Sequence, residues 1–546
     1  MGGLEEVGKN MNAFEYGDDI VIVDAGLSFG GPETLGIDYV IPDVAYLESK
    51  KRNIRAILFT HGHLDHIGGI PHVLGRLGNP PLYGSKLTMG LVKTRLEEFA
   101  LDKTAKIHVI TPDNKLVLGK FQIEFFYVNH SIPDSMGVLL KTPVGKVVHT
   151  GDFKFDHTPA MDAPANFQRI AGIGSQGIDV LMSDSTNAEK PGYALSEKVI
   201  GQNLDRIIAD TKGRLIIASF SSLIGRIQQV CNSAVRYNRK VFISGRSMVR
   251  NIEMATELGY IKVPRGLIRE ASPAMNSLPP SQVLILTTGA QGEAMSALSR
   301  ISLGEHTQIK IREGDTVSIS ASPIPGNEKA IVTVINNLHR IGAEVITNSL
   351  MDVHTSGHGH QEELKLMFSL IKPKHFIPIH GELFMMKTHA KLVQAISPRC
   401  GVSILQNGDI VEVNQQGARK SKQKTQANDI VIDGLGHGDL GSQVLQERKT
   451  MAQDGILIIL LRAYESTKRL IGEPDIISRG LVYVKESHEI AQETKTISAR
   501  AFEGSIQKNP AMILKELKNE IRLPVAKFIR KRLGREPLII PIIMYI

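Results

Sequence analysis

Cysteine is nearly absent: the 546-residue chain has two, Cys231 and Cys400. That is too few for a disulfide framework or a thiolate zinc site. Long apolar runs are missing as well. Nothing approaches the ~18 consecutive apolar residues of a spanning helix, so no membrane-spanning helix and no membrane partner are expected. The N-terminus lacks the basic-then-apolar layout of a secretory signal, which makes a reducing, cytoplasmic setting the expectation. Charge of one sign is only mildly in excess: 64 Lys+Arg against 56 Asp+Glu give +8, with a pI near 9.1. This leans toward a polyanionic partner without naming one. What is present is ordinary for a globular protein, 42% hydrophobic and 22% charged. A disordered or collagen-like chain is thereby excluded, and the length allows about three or four domains.

Several short apolar runs each end on a polar residue. Ile20-Val21-Ile22-Val23-Asp24, Ala56-Ile57-Leu58-Phe59-Thr60, Val147-Val148-His149-Thr150-Gly151-Asp152 and Val180-Leu181-Met182-Ser183-Asp184 share this design. Each predicts a buried strand delivering chemistry at its C-terminal end, where open α/β sheets keep their sites. From about Leu195 helical and strand-like spacing alternate, which predicts a second, parallel α/β domain. After about His354 the first texture returns, so one domain is inserted into another. The expected boundaries are 1–194, an insertion at 195–353, a resumption at 354–414, a polar cationic linker at 415–428 (QQGARKSKQKTQAN) and a small C-terminal domain at 429–546. No internal repeat is found. Asp433-Gly434-Leu435-Gly436-His437-Gly438-Asp439 reads as a Gly-rich turn, since no P-loop Lys-Ser/Thr follows it.

The sharpest feature is Thr60-His61-Gly62-His63-Leu64-Asp65-His66, directly after a strand. Four candidate ligands in six residues cannot reach one ion from a regular element. A turn leading into a helix can aim His61 and His63 at one ion, and Asp65 and His66 at a second. Imidazole and carboxylate without thiolate suit Zn²⁺, with Mn²⁺ the alternative where oxygen ligands share the site. His130, Asp152 and His380 follow at other strand ends. Each alone is an ordinary hydrogen-bonded loop residue; together with the turn they complete a two-ion site.

These motifs resemble the metallo-β-lactamase superfamily. Ser183-Asp184-Ser185-Thr186-Asn187, Ser356-Gly357-His358-Gly359 and Pro378-Ile379-His380-Gly381-Glu382 narrow the resemblance to the β-CASP nucleases, specifically the bacterial ribonuclease J family. Gly2-Gly3-Leu4-Glu5-Glu6-Val7-Gly8-Lys9-Asn10-Met11, Thr287-Thr288-Gly289-Ala290-Gln291-Gly292-Glu293 and Ser322-Pro323-Ile324-Pro325-Gly326-Asn327-Glu328 extend it over essentially the whole chain. The implied fold is α/β: a metallo-β-lactamase αββα sandwich with an inserted α/β β-CASP domain and a small C-terminal α/β domain. The resemblance implies two Zn²⁺ per subunit, with His61, His63 and His130 on one ion, Asp65, His66 and His380 on the other, and Asp152 bridging. A His at position 380 is what RNA-cutting members carry, whereas DNA-repair members tend to have an apolar residue there.

The implied activity is hydrolysis of single-stranded RNA, from the 5′ end with preference for a 5′-monophosphate, together with endonucleolytic cutting, in RNA maturation and decay. His358 would contact the scissile phosphate or protonate the leaving oxygen, with Asp184 orienting it; the bland alternatives are a packing residue and a helix cap. The 5′-phosphate pocket would draw on Ser222, Arg246, Ser247, Ser356, Gly357, His358 and His360. For Arg246 a surface salt bridge is the competing reading. Leu223 departs from a usual Asn, and Gly359-His360 from a usual Ala followed by a small polar residue. GGLEEVGKNM usually follows a first strand and often a leader, so its place directly after Met1 points to a trimmed leader or an internal start. Phe29, Tyr46 and Phe155 are available for base stacking, although such residues are more often core than platform, and Lys154 is the better candidate for phosphate steering. Self-association as a homodimer or homotetramer, and a helicase or ribosome as partner, are implied by resemblance only. Two readings compete: a non-catalytic RNA-binding subunit of a processing complex, and a metallo-hydrolase of small esters.

Overall fold

The computed structural model describes residues 1–29, 37–293, 295–322, 327–414, 417–434, 436–437, 442–481 and 487–546. Of the quoted motifs, Pro323 to Gly326 and positions 435, 438 and 439 lie outside them. The first and larger unit spans Met1–Phe29 with Tyr39–Ile430. Five strands form one of its sheets in the order Asn12–Tyr16, Asp19–Val23, Ile54–Leu58, Leu82–Gly84 and Ile107–Val109. Seven form another, ordered Gly401–Val402, His375–Ile379, Val180–Asp184, Gly145–His149, Met136–Thr142, Phe121–Tyr127 and Lys115–Leu118.

Alternation of side chains along the strands glues the two sheets face to face. Val21, Val23, Ala56 and Leu58 of the first meet Ile123, Phe125, Met136, Val138 and Leu140 of the second in one buried cluster. The opposite face of the seven-stranded sheet presents Leu139, Val148, Leu181 and Phe376 to Ile170 and Ile173 of the helix Phe167–Gly174 and to Leu364, Met367 and Phe368 of the helix Gln361–Ile371. On the far side, the helix Lys86–Glu97 lies against the strands Leu82–Gly84 and Ile107–Val109. The result is the αββα sandwich.

Between the strand Val180–Asp184 and the helix Gln361–Ile371 the chain builds a third sheet of six strands, all parallel: Ile268–Glu270, Lys240–Ser244, Val283–Thr287, Leu215–Ala218, Thr316–Ile319 and Glu344–Ile346. Its central strands are buried on both faces, which is why they read as near-continuous apolar runs and not as alternating ones.

Residues 415–428, read from composition as a linker, contain a strand. Gly417–Lys424 runs antiparallel to Asp409–Asn414, and Lys420 and Lys424 both reach the Asp409 carboxylate, at 2.5 and 3.0 Å. An exposed two-stranded ribbon held by backbone bonds and ion pairs needs few large apolar groups, so composition alone reads it as unstructured.

The second unit is built mainly from Val431–Ile546. The strand Ile456–Ala463 lies between Asp475–Arg479 and Leu538–Tyr545. Its alternate residues Leu457, Ile459, Leu461 and Ala463 are buried with Leu517, Ile521, Val525 and Ile529, which are one helical face of Leu514–Leu533. Among the described residues no helix is long and apolar enough to cross a membrane.

Candidate metal centre

Both sheets of the sandwich deliver their polar residues to one rim. In the five-stranded sheet, Asp24 follows the strand Asp19–Val23 with φ of 65°, and Thr60 and His61 follow its parallel neighbour Ile54–Leu58. The Asp24 carboxylate accepts from the Thr60 N–H (2.8 Å) and hydroxyl (2.9 Å), which ties the two strand ends together. The HGHLDH turn then folds over the next stretch of chain. Asn10 N–H bonds the Asp65 carbonyl (2.9 Å), Ala25 N–H that of His66 (2.7 Å) and Leu27 N–H that of Leu64 (3.0 Å). Gly26 is obligatory in this sandwich of backbones: a Cβ there would stand 1.7 Å from the Asp65 carbonyl oxygen. In the seven-stranded sheet, Asp152, Asp184 and His380 stand at the ends of three adjacent parallel strands, with Asp184 in register with Ile379. His380 adopts φ of 51°, a left-handed conformation that costs a non-glycine residue and is held by an N–H bond to the Gly3 carbonyl (2.8 Å).

All seven expected ligands converge, as two clusters of ligand atoms. His61, His63 and His130 form one, and Asp65, His66, Asp152 and His380 the other. His63 Nδ1 stands 3.1 Å from both His61 Nε2 and His130 Nε2. Asp65 Oδ2 lies 3.1 Å from His380 Nε2. Between the clusters sits Asp152, whose Oδ2 is 3.1 Å from His66 Nε2, 3.5 Å from His380 Nε2, 3.6 Å from His61 Nε2 and 3.9 Å from His130 Nε2.

In four of these rings the outer nitrogen is spoken for, that of His61 by the Thr60 hydroxyl oxygen (3.1 Å), which fixes what the inner one can do. His130 Nδ1–H donates to the Gly357 carbonyl (2.7 Å), and His66 Nδ1–H to Asp24 Oδ2 (2.8 Å). His380 Nδ1–H donates to Thr186 Oγ1 (2.7 Å), whose own proton goes to Asp184 Oδ1 (2.8 Å). Lone pairs facing one another across 3.1 Å repel unless a cation or proton sits among them.

The electrostatics say the same. Burial, helped by the neighbouring His66, holds His61 well below its ordinary value; burial also pushes His63 down to about 4, and with His63 and His358 lowers His130 strongly. Burial opposes charge on His66 and His380 too. There Asp152 and the other carboxylates outweigh it, raising His66 well above its ordinary value and His380 to about 9. Asp65 and Asp152 resist burial because those imidazoles lower both. A nitrogen-rich pocket that refuses protons beside a carboxylate-rich one that demands positive charge fits two divalent cations, and a thiolate-free donor set suits Zn²⁺ or Mn²⁺.

His358 joins the rim from the segment after the six-stranded sheet. Its Nδ1–H donates to Asp184 Oδ2 (2.8 Å), and its ring stacks on His380 at 5.3 Å between centroids. Ser356, Gly357 and His358 therefore lie at the metal cluster. Ser222, Arg246 and Ser247 instead lie at the C-terminal edge of the six-stranded sheet, where Asn251 bonds the neighbouring Ser221 carbonyl (3.2 Å) and hydroxyl (3.1 Å). Arg246 is exposed and forms no ion pair with a carboxylate among the described residues. Leu223 is buried. His360 precedes the helix Gln361–Ile371, and its N–H is held by Glu363 (2.8 Å).

One expectation is corrected. Lys154 does not face an RNA path: it is buried, with Nζ on the Leu195 carbonyl (3.2 Å) and 3.7 Å from Asp156. Phe155 belongs to the core beneath the seven-stranded sheet, not to a stacking platform. Phe29 is exposed, and Tyr46 donates to Glu15 (2.6 Å). Sequence reasoning also missed Asp24, Thr186 and Asn187. Asp24 ends a strand just as Asp152 does, and Thr186 and Asn187 stand inside the quoted DSTN motif, so the signal was there. Asn187 Nδ2 bonds Ser356 Oγ (2.7 Å) and the His358 carbonyl (2.9 Å).

An αββα sandwich with a His/Asp cluster at its rim defines a metal-dependent hydrolase of the metallo-β-lactamase class. Residues 5–195 match the metallo-beta-lactamase superfamily and residues 343–398 a Zn-dependent metallo-hydrolase RNA specificity domain. Residues 212–338 match the beta-CASP domain of ribonuclease J, and residues 443–546 its C-terminal domain. Ribonuclease J 1 of Streptococcus pyogenes serotype M3 is 43% identical over all of this chain and 96% of its own length. Ribonuclease J2 of Bacillus subtilis is 40% identical over all of this chain and 97% of its own, and ribonuclease J of Thermus thermophilus 39% over all of this chain and 94% of its own. A crystal structure of a protein of unknown function from Enterococcus faecalis shares the fold at 16% identity, with a TM-score of 0.52 over 79% of this chain and 98% of that one. The chain belongs to the ribonuclease J family of metal-dependent ribonucleases.

Proposed function

We propose that this chain hydrolyses phosphodiester bonds of single-stranded RNA at a two-ion centre, from a 5′-monophosphate end in the 5′-to-3′ direction and also internally. The single observation that carries the reading is Asp152, whose one carboxylate oxygen lies within 3.9 Å of an inner nitrogen in His61, His66, His130 and His380. In this reading His61, His63 and His130 hold one Zn²⁺, Asp65, His66 and His380 the other, and Asp152 bridges; Mn²⁺ is the alternative metal. When bound, such ions activate water and offset charge on the phosphate oxygens during in-line displacement.

The chain's own groups do the rest. Asp184 accepts the Nδ1–H of His358 and thereby leaves Nε2 free for the scissile phosphate or the departing 3′ oxygen, the arrangement of a positioned general acid. Thr186 links the same carboxylate to His380, so one Asp orients two neighbouring rings of the site. Asn187 fixes Ser356 and the His358 backbone, presenting hydroxyl and N–H groups to a phosphate. Arg246, Ser247 and Ser222 supply the 5′-phosphate contacts from the neighbouring sheet edge, and His360 enters through the loop it shares with His358. Domain limits of 1–194, 195–353, 354–414 and 429–546 belong to this proposal. The family resemblance extends it to a cytoplasmic homodimer or homotetramer working with a helicase or the ribosome.

The test is cleavage of 3′-labelled single-stranded RNA carrying a 5′-monophosphate or a 5′-triphosphate, with Zn²⁺ or Mn²⁺, by the unaltered chain and by His63→Ala. Faster mononucleotide release from the monophosphate substrate, lost in His63→Ala, supports the whole reading. Indifference to the 5′ end removes the phosphate pocket and leaves the nuclease.

A further inference from the structure

The chain passes between the sandwich and the six-stranded sheet twice, around residues 194–197 and 353–359, and both passages are tied at one buried knot of charge. At the first, the Leu195 carbonyl accepts from Lys154 Nζ (3.2 Å) and from Thr355 Oγ1 of the second passage (2.9 Å). Glu197, two residues on, has its N–H on Asp156 (2.9 Å) and its carboxylate on Arg226, whose Nη2 lies 3.0 Å from each oxygen. Arg226 Nη1 donates to His354 Nδ1 (2.9 Å) and Ser320 Oγ (3.2 Å). Lys154, Asp156, Glu197 and Arg226 are all buried.

The second passage carries His358, and its two halves are anchored to different bodies. Upstream, Ser320 Oγ–H holds the Val353 carbonyl (2.6 Å) and Arg226 holds His354. Downstream, His130 holds the Gly357 carbonyl (2.7 Å) and Gly359 N–H the Phe153 carbonyl (2.7 Å). A buried ion pair stabilises poorly, because apolar residues of similar volume do as well without the desolvation cost; what a rigid guanidinium fork does well is fix several partners in one geometry.

We infer that Arg226 is a positioning residue for the reaction: held in place by Glu197, it sets, through His354, the segment that carries His358. The inference rests on the reading that His358 acts on the scissile phosphate.

Arg226→Lys keeps the charge opposite Glu197 but cannot reach Glu197 and His354 together. It is expected to keep the metal content and nearly the unfolding temperature of the unaltered chain. Its kcat on single-stranded RNA should fall about tenfold, with KM changed by less than about twofold. Because Arg226 acts through the His358 segment, Arg226→Lys combined with His358→Ala should be no slower than His358→Ala alone. His354→Ala leaves the ion pair whole, is expected to repeat the pattern, and serves if Arg226→Lys does not fold. An unchanged kcat, an effect confined to KM, or losses that multiply in the double variant overturn the inference while leaving a slow His358→Ala to support the reading of His358. Normal turnover by His358→Ala sinks both.

Discussion

Two rims of this molecule are built alike and finished differently. The sandwich rim and the edge of the six-stranded sheet are both C-terminal ends of parallel strands, the usual seat of function in α/β folds. At the first, almost every functional side chain touches another functional side chain, and most are buried. At the second, Arg246 and Ser247 stand open to solvent at the start of a helix. Chemistry that must hold metal ions to fractions of an ångström is over-determined by its neighbours. On the proposed reading, the second rim meets only a chain end, and its groups are left open.

That contrast orders the expected effects of substitution. Asp152→Asn strips the one carboxylate that serves both clusters. Activity should fall at least about 10³-fold, on the order of 4 kcal/mol of transition-state stabilisation, with metal content by atomic absorption falling too. His358→Ala and Asp184→Asn should cost about 10²- to 10⁴-fold in kcat while leaving metal content intact, which steady-state kinetics on a short RNA checks. Asp24→Asn touches no proposed ligand atom of the clusters, yet it weakens the acceptor of His66 Nδ1–H; a roughly 10- to 100-fold weaker metal affinity by competition with a chelator is expected. At the open rim Arg246→Ala should cost least, about three- to tenfold, and only in the preference for 5′-monophosphate over 5′-triphosphate ends. If Arg246→Ala proves as damaging as His358→Ala, the division of labour between the two rims does not hold.

The sandwich rim also predicts a pH response of the metal-stripped protein. His380, raised to about 9, contributes stability that is present below the unfolded value of 6.5 and is lost as pH rises through 9. His63, lowered to about 4, works the other way: below pH 6.5 the unfolded chain takes up a proton that the folded one refuses, so stability falls as pH drops toward 4. Thermal unfolding of the chelator-treated chain should therefore peak near pH 6.5, and added Zn²⁺ should lift the alkaline wing most, since there His380 has shed the proton that competes with the ion. A profile flat from about pH 5 to about 9 would contradict the burial of these rings.

Legibility in the sequence follows the same division. The HGHLDH turn, Asp152 and His380 could be read because so dense a run of ligating side chains after a strand serves little purpose besides holding metal, and all seven side chains meet. The inserted α/β domain could be read because strands buried on both faces are written as uninterrupted apolar runs. Lys154 misleads because its type and its place beside Asp152 both suggest phosphate. Only the fold reveals that the chain's two passages close over it. The strand Gly417–Lys424 escapes a reading by composition because its stability lies in backbone pairing and in Asp409, neither of which leaves an apolar pattern.

The pairing of Asp65 with His380, separated by 315 positions, bears on how the enzyme comes into being. A nascent chain carries every proposed ligand but one once Asp152 has emerged, and then must wait for the whole inserted domain before His358 and His380 appear. At about 5–20 residues per second that interval is on the order of 10–50 s. On the proposed assignment, the growing polypeptide throughout that interval lacks two of the site's histidines while it is held beside a messenger RNA.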